Sequence, residues 1–312
     1  MNCLEELGSV FETVEVARCY VCDSQDLKPA YTRRFFDRDF HWARCHDCGL
    51  VFQNPKLTRS SLQAVYNSKI YWQNDERTDD GRRMGYNQYE KDDSLRLALG
   101  RSRVEVLKRY LDRGRVLEIG CATGSFVKAA VDSGFDCRGV ELSQDAAEFG
   151  RSAYGIDIEV GDFDFGSDPP ESYDGVAFWG CDSNFYDPSV TLGRINKILR
   201  PGGILCFNFW DFEHLLRPLL LGDNKLLYNS MVCFSRRNVE ILLQRLGFEV
   251  LALKSEWRRA TLDSVFAWTG HHRLLKLTRF LRLSNLPVWL PALTSFVCVA
   301  RKIPSDVVSS SS

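Results

Sequence analysis

The chain lacks a charge excess. Its 312 residues carry 40 lysines and arginines against 41 aspartates and glutamates, a net charge of −1, so no whole-protein field draws it to nucleic acid or to a membrane. Long apolar runs are missing too. The most apolar region, Leu286 to Ala300, is broken by Pro287 and Pro291 and falls short of a membrane span. The opening residues, MNCLEELGSV, show no basic-then-apolar pattern, so no secretory leader is expected. The ten prolines and the charges are scattered, and only the end, Ser305 to Ser312, reads as frayed. What remains is an ordinary globular composition, long enough for one large or two modest domains with a buried core. Cysteine is plentiful by contrast. Eleven of them, an odd number, suit a reducing cytoplasm in which thiols serve metal and core rather than disulfides.

The stretch around which the chain is organised runs Arg115-Val116-Leu117-Glu118-Ile119-Gly120-Cys121-Ala122-Thr123-Gly124-Ser125-Phe126. Apolar β-formers lead to an acid, then a glycine-bounded turn, then a helix-compatible run. That order places backbone N–H groups and a helix N-terminus at an open crevice beyond a strand. Many nucleotide sites share the design, but Glu118 would repel a pyrophosphate and attract a cationic ligand. Further along stand Gly139-Val140-Glu141-Leu142-Ser143, Gly161-Asp162-Phe163 and Leu199-Arg200-Pro201-Gly202-Gly203. Glu141, 23 positions after Glu118, holds the usual place of a carboxylate that accepts both ribose hydroxyls.

In this order the four motifs resemble those of the class I S-adenosylmethionine-dependent methyltransferases, over roughly Lys91 to Lys302. The resemblance implies an α/β fold with a Rossmann-like seven-stranded sheet, and S-adenosylmethionine as methyl donor. Its ammonium and sulfonium suit Glu118. The donor would meet Gly120, Cys121 and Gly124 in the turn, Glu141, Asp162 at the adenine amine, Phe163 or Leu142 at the ring, and Trp179. Relatives often carry Glu-His before Asp-Pro after strand four. Here Asn184 takes the histidine's place, in Ser183-Asn184-Phe185-Tyr186-Asp187-Pro188.

Ahead of this core, Cys19-Tyr20-Val21-Cys22 and Cys45-His46-Asp47-Cys48-Gly49 form two CxxC pairs separated by 22 residues. That spacing suits two knuckles around one tetrahedral Zn2+, with Cys19, Cys22, Cys45 and Cys48 as ligands. Four protein ligands leave no open position, so the metal would be structural. A redox CxxC, or four metal-free structural cysteines, is the competing reading. The sequence predicts a zinc ribbon over 1–66, with short strands between Tyr31 and Ala43. A helix over Leu62, Val65 and Tyr66 would follow, capped by Thr58 or Ser60. Lys28, Arg33, Arg34, Arg38 and Arg44 are matched there by Asp23, Asp26, Asp37, Asp39 and Asp47, so a nucleic-acid stripe is absent. The ribbon resembles a module found ahead of many bacterial methyltransferases of small molecules and cell-surface glycans.

Residues 67–113 read as an aromatic segment and connecting helix, and 114–312 as the methyltransferase domain. By the resemblance, Tyr86 and Tyr89 are candidates for a lid over the donor. The alternative is a loosely packed connector. Strands are expected at Val116–Ile119, Asp136–Glu141, Asp157–Val160, Asp174–Trp179, Ile204–Phe209, Phe248–Leu253 and Ser295–Arg301. Residues 211–230 suit a cap over the substrate or an extra core helix, and 258–294 an insertion. Within it, 271–283 is a basic amphipathic stretch. It suits an anionic membrane or acidic partner, or a helix that buries its leucines on the protein.

Methyl transfer is an in-line displacement governed by positioning, and a hydroxyl or carbon acceptor can also need a general base. Asp182, Tyr186, Asp187, Asp211 and His214 are candidates, with His214 preferred for its near-neutral ordinary pKa and Asp182 next. No Asn/Asp-Pro-Pro-Tyr run follows strand four, which disfavours a DNA or protein amine. The expectation is a small-molecule acceptor: a hydroxyl or carbon of a sugar, lipid or secondary metabolite. An RNA methyltransferase clamped by the ribbon and a non-catalytic adenosyl-binding scaffold are the alternatives. The oligomeric state is left open.

Overall fold

The computed structural model describes residues 11–35, 38–68, 93–215, 226, 229–261, 272–281, 283 and 286–304. Strand β1 (Thr13–Val14) is followed by β2 (Leu27–Phe35), β3 (Arg38–Cys45), β4 (Val51–Gln53) and β5 (Lys56–Leu57), then helix α1 (Arg59–Asn67). Thr58 ends the preceding extended run because its side chain accepts the Ser61 N–H, capping α1, whose inner face buries Leu62, Val65 and Tyr66. After α2 (Asp93–Leu107) come β6 (Arg115–Ile119), α3 (Ser125–Asp132), β7 (Asp136–Glu141), α4 (Gln144–Tyr154) and β8 (Ile158–Val160). The chain goes on through β9 (Tyr173–Trp179), α5 (Pro188–Ile198), β10 (Leu199–Trp210), β11 (Val232–Cys233), α6 (Arg236–Arg245), β12 (Phe248–Thr261), α7 (His272–Phe280) and β13 (Pro287–Lys302).

Seven strands form one sheet in the order β12-β13-β10-β9-β6-β7-β8. Its β8-to-β10 part is parallel, while β13 runs antiparallel to β10 and β12. The sequence pattern explains why both faces are covered. Strands of a parallel sheet are apolar on both sides, and Val116 and Ala177 pack with α2, α3 and α4. Leu117 and Val176 face the other way, toward Leu192 and Ile195 of α5 and Val239 and Leu242 of α6. The strand order reverses beside β6, the place where such sheets open a crevice at the strands' C-terminal ends.

The ribbon is joined to that second face. Val21, Trp42, Phe52 and Leu57 belong to the same buried cluster as Leu117 and Val176. The ribbon's own sheet, β11-β4-β3-β2, is completed by β11 from beyond residue 230. Buried polar groups are paired across the junction: Trp42 Nε1 donates to Ser230 O at 2.8 Å and Asn238 Nδ2 to Cys48 O at 2.7 Å.

Two expectations are corrected. The last two strands are not confined to Phe248–Leu253 and Ser295–Arg301: β12 and β13 pair as far as Thr261 and Pro287. Residues 258–261 and 287–294 of the expected insertion therefore belong to these strands, with α7 between them in sequence. The leucines of 271–283 are not all tucked inward either. Leu277, Phe280 and Leu281 are exposed, Phe280 by 84%. Of the expected 211–230 cap, residues 216–225 and 227–228 lie outside the described residues. So do Tyr86 and Tyr89. Among the described residues, no helix is long and apolar enough to cross a membrane.

Candidate active site

The turn between β6 and α3 is built from left-handed residues. Gly120 (φ 64°), Ala122 (φ 51°) and Gly124 (φ 77°) all have positive φ, a conformation that costs alanine but not glycine. A Cβ on Gly120 would also sit 3.0 Å from Cys181 Sγ. The strained Ala122 is held by the end of the neighbouring strand. Its N–H donates to Glu141 Oε2 at 2.8 Å, while Ser143 N–H donates to Glu141 Oε1 at 2.9 Å. These backbone bonds fix the carboxylate. Burial raises the Glu141 pKa, opposed by the N–H groups of Ser143, Ala122 and Leu142.

Glu118 lies behind the turn, 3% exposed. Burial pushes it up to about 8, against the pull of the Arg103 charge and the Val127 N–H at the start of α3. Its Oε2 is a buried acceptor, and Trp179 Nε1 a buried donor, with no hydrogen-bond partner among the described residues.

In front of the turn opens a cavity of about 390 Å³, within the roughly 300–1,000 Å³ of small-ligand sites. One wall is the sheet edge: Gly120, Glu141, Leu142, Asp162, Phe163 and Trp179. Gly180 and Cys181 continue it toward Asn184 and Tyr186. The opposite wall is the inner face of the ribbon helix α1, with Arg59, Leu62, Gln63 and Tyr66. Asp162 accepts Arg59 Nη1 at 2.7 Å.

The donor set fits S-adenosylmethionine. Glu141 would hold the ribose hydroxyls, Asp162 and Phe163 the adenine, and the turn with Trp179 the amino-acid end. When bound, the donor supplies an electrophilic methyl. Trp179 lines the cavity, while Glu118, buried behind the turn, can act on the donor's ammonium and sulfonium by charge rather than by contact.

The four ribbon cysteines converge as their spacing predicts. Their sulfurs lie within 4.8 Å of one another, with Cys19–Cys48 at 3.4 Å and Cys22–Cys45 at 3.5 Å. Tetrahedral zinc at about 2.3 Å from each sulfur would set them about 3.8 Å apart, so the cluster fits Zn2+. None of these cysteines lines the cavity.

Six of the donor residues expected from sequence thus line the cavity. Three do not: Glu118 and Cys121 are buried behind it, and Gly124 begins α3. The two preferred catalytic candidates, His214 and Asp182, stand away from this cavity. Asp182 is buried at 3% exposure, and the His214 ring packs 6.1 Å from that of Phe296. Neither lines the cavity. Asp187 caps α5, and Asp211 accepts the Glu213 N–H. Of the five candidates only Tyr186 reaches the wall. Sequence reasoning misses the α1 wall altogether, because what brings it to the cavity is tertiary packing, with no local signal.

Residues 89–253 match the family model described as methyltransferase domain. The malonyl-[acyl-carrier protein] O-methyltransferase of Alcanivorax borkumensis is 32% identical over 187 residues, 57% of this chain and 57% of that protein. The chain thus spans less than two thirds of that relative's length. A chain of the complex between the Haloferax volcanii Trm112 methyltransferase activator and its methyltransferase matches with a TM-score of 0.51. It is 17% identical, covering 69% of this chain and 95% of that one, a likeness of fold. The model spans more than half of the sequence and falls on the cavity-forming strands and turns, so the chain belongs to the methyltransferase-domain family, with the seven-stranded sheet of the class I S-adenosylmethionine-dependent methyltransferases.

Proposed function

We propose that the enzyme methylates a small molecule, with a hydroxyl or other oxygen as the first acceptor to test and carbon as the second. The observation that carries this is the second wall. One side of the cavity is formed by α1, and beyond the donor residues it is lined by Asn184, Phe185, Tyr186, Leu62 and Tyr66. A wall of aromatic rings and an amide suits a compact acceptor. The name of the 32%-identical relative favours oxygen. The ribbon's mixed charge weighs against RNA.

Tyr186 replaces His214 and Asp182 as the side chain proposed to orient the acceptor. Its ring is held in place by Lys56 Nζ at 3.5 Å and by the Arg59 guanidinium at 4.3 Å. On α7 and just after it, the exposed Leu277, Phe280 and Leu281 stand among the basic residues Lys276 and Arg279. That combination supports an anionic surface as the place where the acceptor is met. Retention on anionic lipid vesicles, lost with Phe280→Glu, tests that part.

The deciding experiment offers labelled S-adenosylmethionine with nucleotide sugars, phenols, acyl carboxylates and RNA. Label on a small molecule is expected. Label on RNA alone, falling steeply with salt, would replace this reading.

A further inference from the structure

The ribbon wall contains an ion pair that the donor reading leaves unexplained. Arg59, the first residue of α1, spans two carboxylates. Its Nη1 lies 2.7 Å from Asp162 Oδ2 and its Nη2 2.8 Å from Asp164 Oδ2. The guanidinium sits over Tyr186 and, at 4.8 Å, over Phe165. Asp164 is fixed from its other side, where Oδ1 accepts the Thr191 hydroxyl at 2.7 Å. Asp162 Oδ1 accepts the Asp164 N–H at 2.9 Å.

Two acids set two residues apart repel each other, and a planar guanidinium fork is the group that can bind both while remaining in one orientation. With one bond on each oxygen, the Asp162 carboxylate is locked, and each oxygen keeps a lone pair. The clasp is tied in turn to the metal knuckle. Lys56 Nζ donates to Tyr186 O at 2.8 Å and sits 5.1 Å from the ring of Tyr20. Tyr20 lies between Cys19 and Cys22.

We propose that Arg59 is a positioning residue for the adenine-accepting carboxylate Asp162, and that the zinc ribbon thereby sets the enzyme's affinity and base selectivity for its methyl donor. This rests on the reading of Asp162 as the adenine contact. The ribbon is then part of the donor site rather than an appendage beside it. Because coupling is reciprocal, the donor product must also protect the metal.

Calorimetry with S-adenosylhomocysteine and its 6-oxo (inosyl) analogue, which lacks the exocyclic amine, tests the proposal. The native protein should prefer the adenosyl compound by about 10- to 100-fold, the range of one charge-assisted hydrogen bond. Arg59→Ala should bind it about tenfold more weakly, less than a fully buried pair would cost because Arg59 is partly exposed. The inosyl compound should lose little, so the preference shrinks. Arg59→Lys should recover part of it.

Equal weakening of both compounds, or no weakening, overturns the assignment, since a merely structural role would leave the ratio unchanged. Asp162→Asn separates the two readings. If it collapses the preference while Arg59→Ala does not, the Arg59 inference fails alone. If it leaves the preference intact, the adenine placement fails and takes this inference with it. For the metal, saturating S-adenosylhomocysteine should slow zinc release to a chelator in the native protein. An unchanged rate overturns the coupling.

Discussion

The two walls of the cavity are made in different ways. The sheet-edge wall comes from the ends of β6 to β9, and its central carboxylate is held by backbone: Glu141 is fixed by the N–H groups of Ala122 and Ser143. The α1 wall is about a hundred positions away in sequence. Long-range side-chain contacts hold it: Arg59 to Asp162 and Asp164, Lys56 to Tyr186, Trp42 to Ser230. Backbone-built sites are pre-organised by the same hydrogen bonds that make the fold, so they fail only when a ligand-contacting group is removed. A wall assembled from distant side chains also fails when whatever orders them is lost. For α1 that is the cysteine cluster and the core it shares with the sheet.

The sharpest break between the walls should come from the metal. Purified protein should hold about one zinc, and Cys45→Ser should lose it. Structural zinc contributes on the order of 10 kcal/mol to isolated ribbons. Here part of that is shared with the common core, and a loss of several kcal/mol would lower the melting temperature by roughly 10 °C, at ~2–4 °C per kcal/mol. Melting curves and metal analysis check this; a zinc-free protein of unchanged stability would remove the ribbon reading. Next in size is the sheet wall. Glu141→Ala should weaken S-adenosylhomocysteine about 100-fold, as expected for two hydrogen bonds to a charged acceptor. The same change frees the Ala122 and Ser143 N–H groups, so its melting temperature should also fall, by a few degrees. Unaltered affinity in calorimetry would mean that the ribose lies elsewhere.

A smaller effect concerns Tyr186, where the sheet-edge wall meets Lys56 and Arg59. Tyr186→Phe keeps the ring between Lys56 and Arg59 but removes the hydroxyl. It should cut kcat roughly 10- to 100-fold, within the cost of a misplaced acceptor, and leave donor affinity nearly unchanged. His214→Ala, set back against Phe296, should turn over like the native enzyme. The opposite pattern would restore the histidine as base.

The contrast between the walls also explains what is readable without coordinates. Strand β7 ends at Glu141 where the spacing places it, because strand, turn and helix are encoded by neighbouring residues. The cysteine cluster is legible for the same reason: CxxC pairs carry their geometry in their spacing. Arg59 carries no signal, since an arginine after a threonine cap looks like any solvated helix start. The closure of the ribbon's sheet by Val232–Cys233 is equally hidden, because two residues of a distant strand have no period. The long β12–β13 pairing is masked by Pro287 and Pro291, which read as breaks but fall on the extended part of that pairing, where proline is tolerated at edges.

The subtlest test concerns the acid that first suggested a cationic ligand. From sequence, Glu118 attracts the donor by its charge. In the structure burial holds its pKa up near 8, so near neutrality the free enzyme keeps this carboxyl mostly protonated. The attraction is realised only when a cation arrives and lowers that pKa. Binding should therefore release a fraction of a proton near pH 7, and donor affinity should rise with pH between about 6 and 8, by at most tenfold per unit. Stability moves the other way. Below about 4.5 the acid is neutral folded or unfolded and costs nothing. Between there and about 8 the unfolded chain has released a proton that the folded chain keeps, so stability falls as pH rises, by up to a few kcal/mol. Glu118→Gln should flatten both slopes together. Calorimetry in buffers of different ionisation heat reads the first and melting curves against pH the second. A glutamine variant with both slopes intact would show that the buried acid behind the turn is not linked to the donor at all.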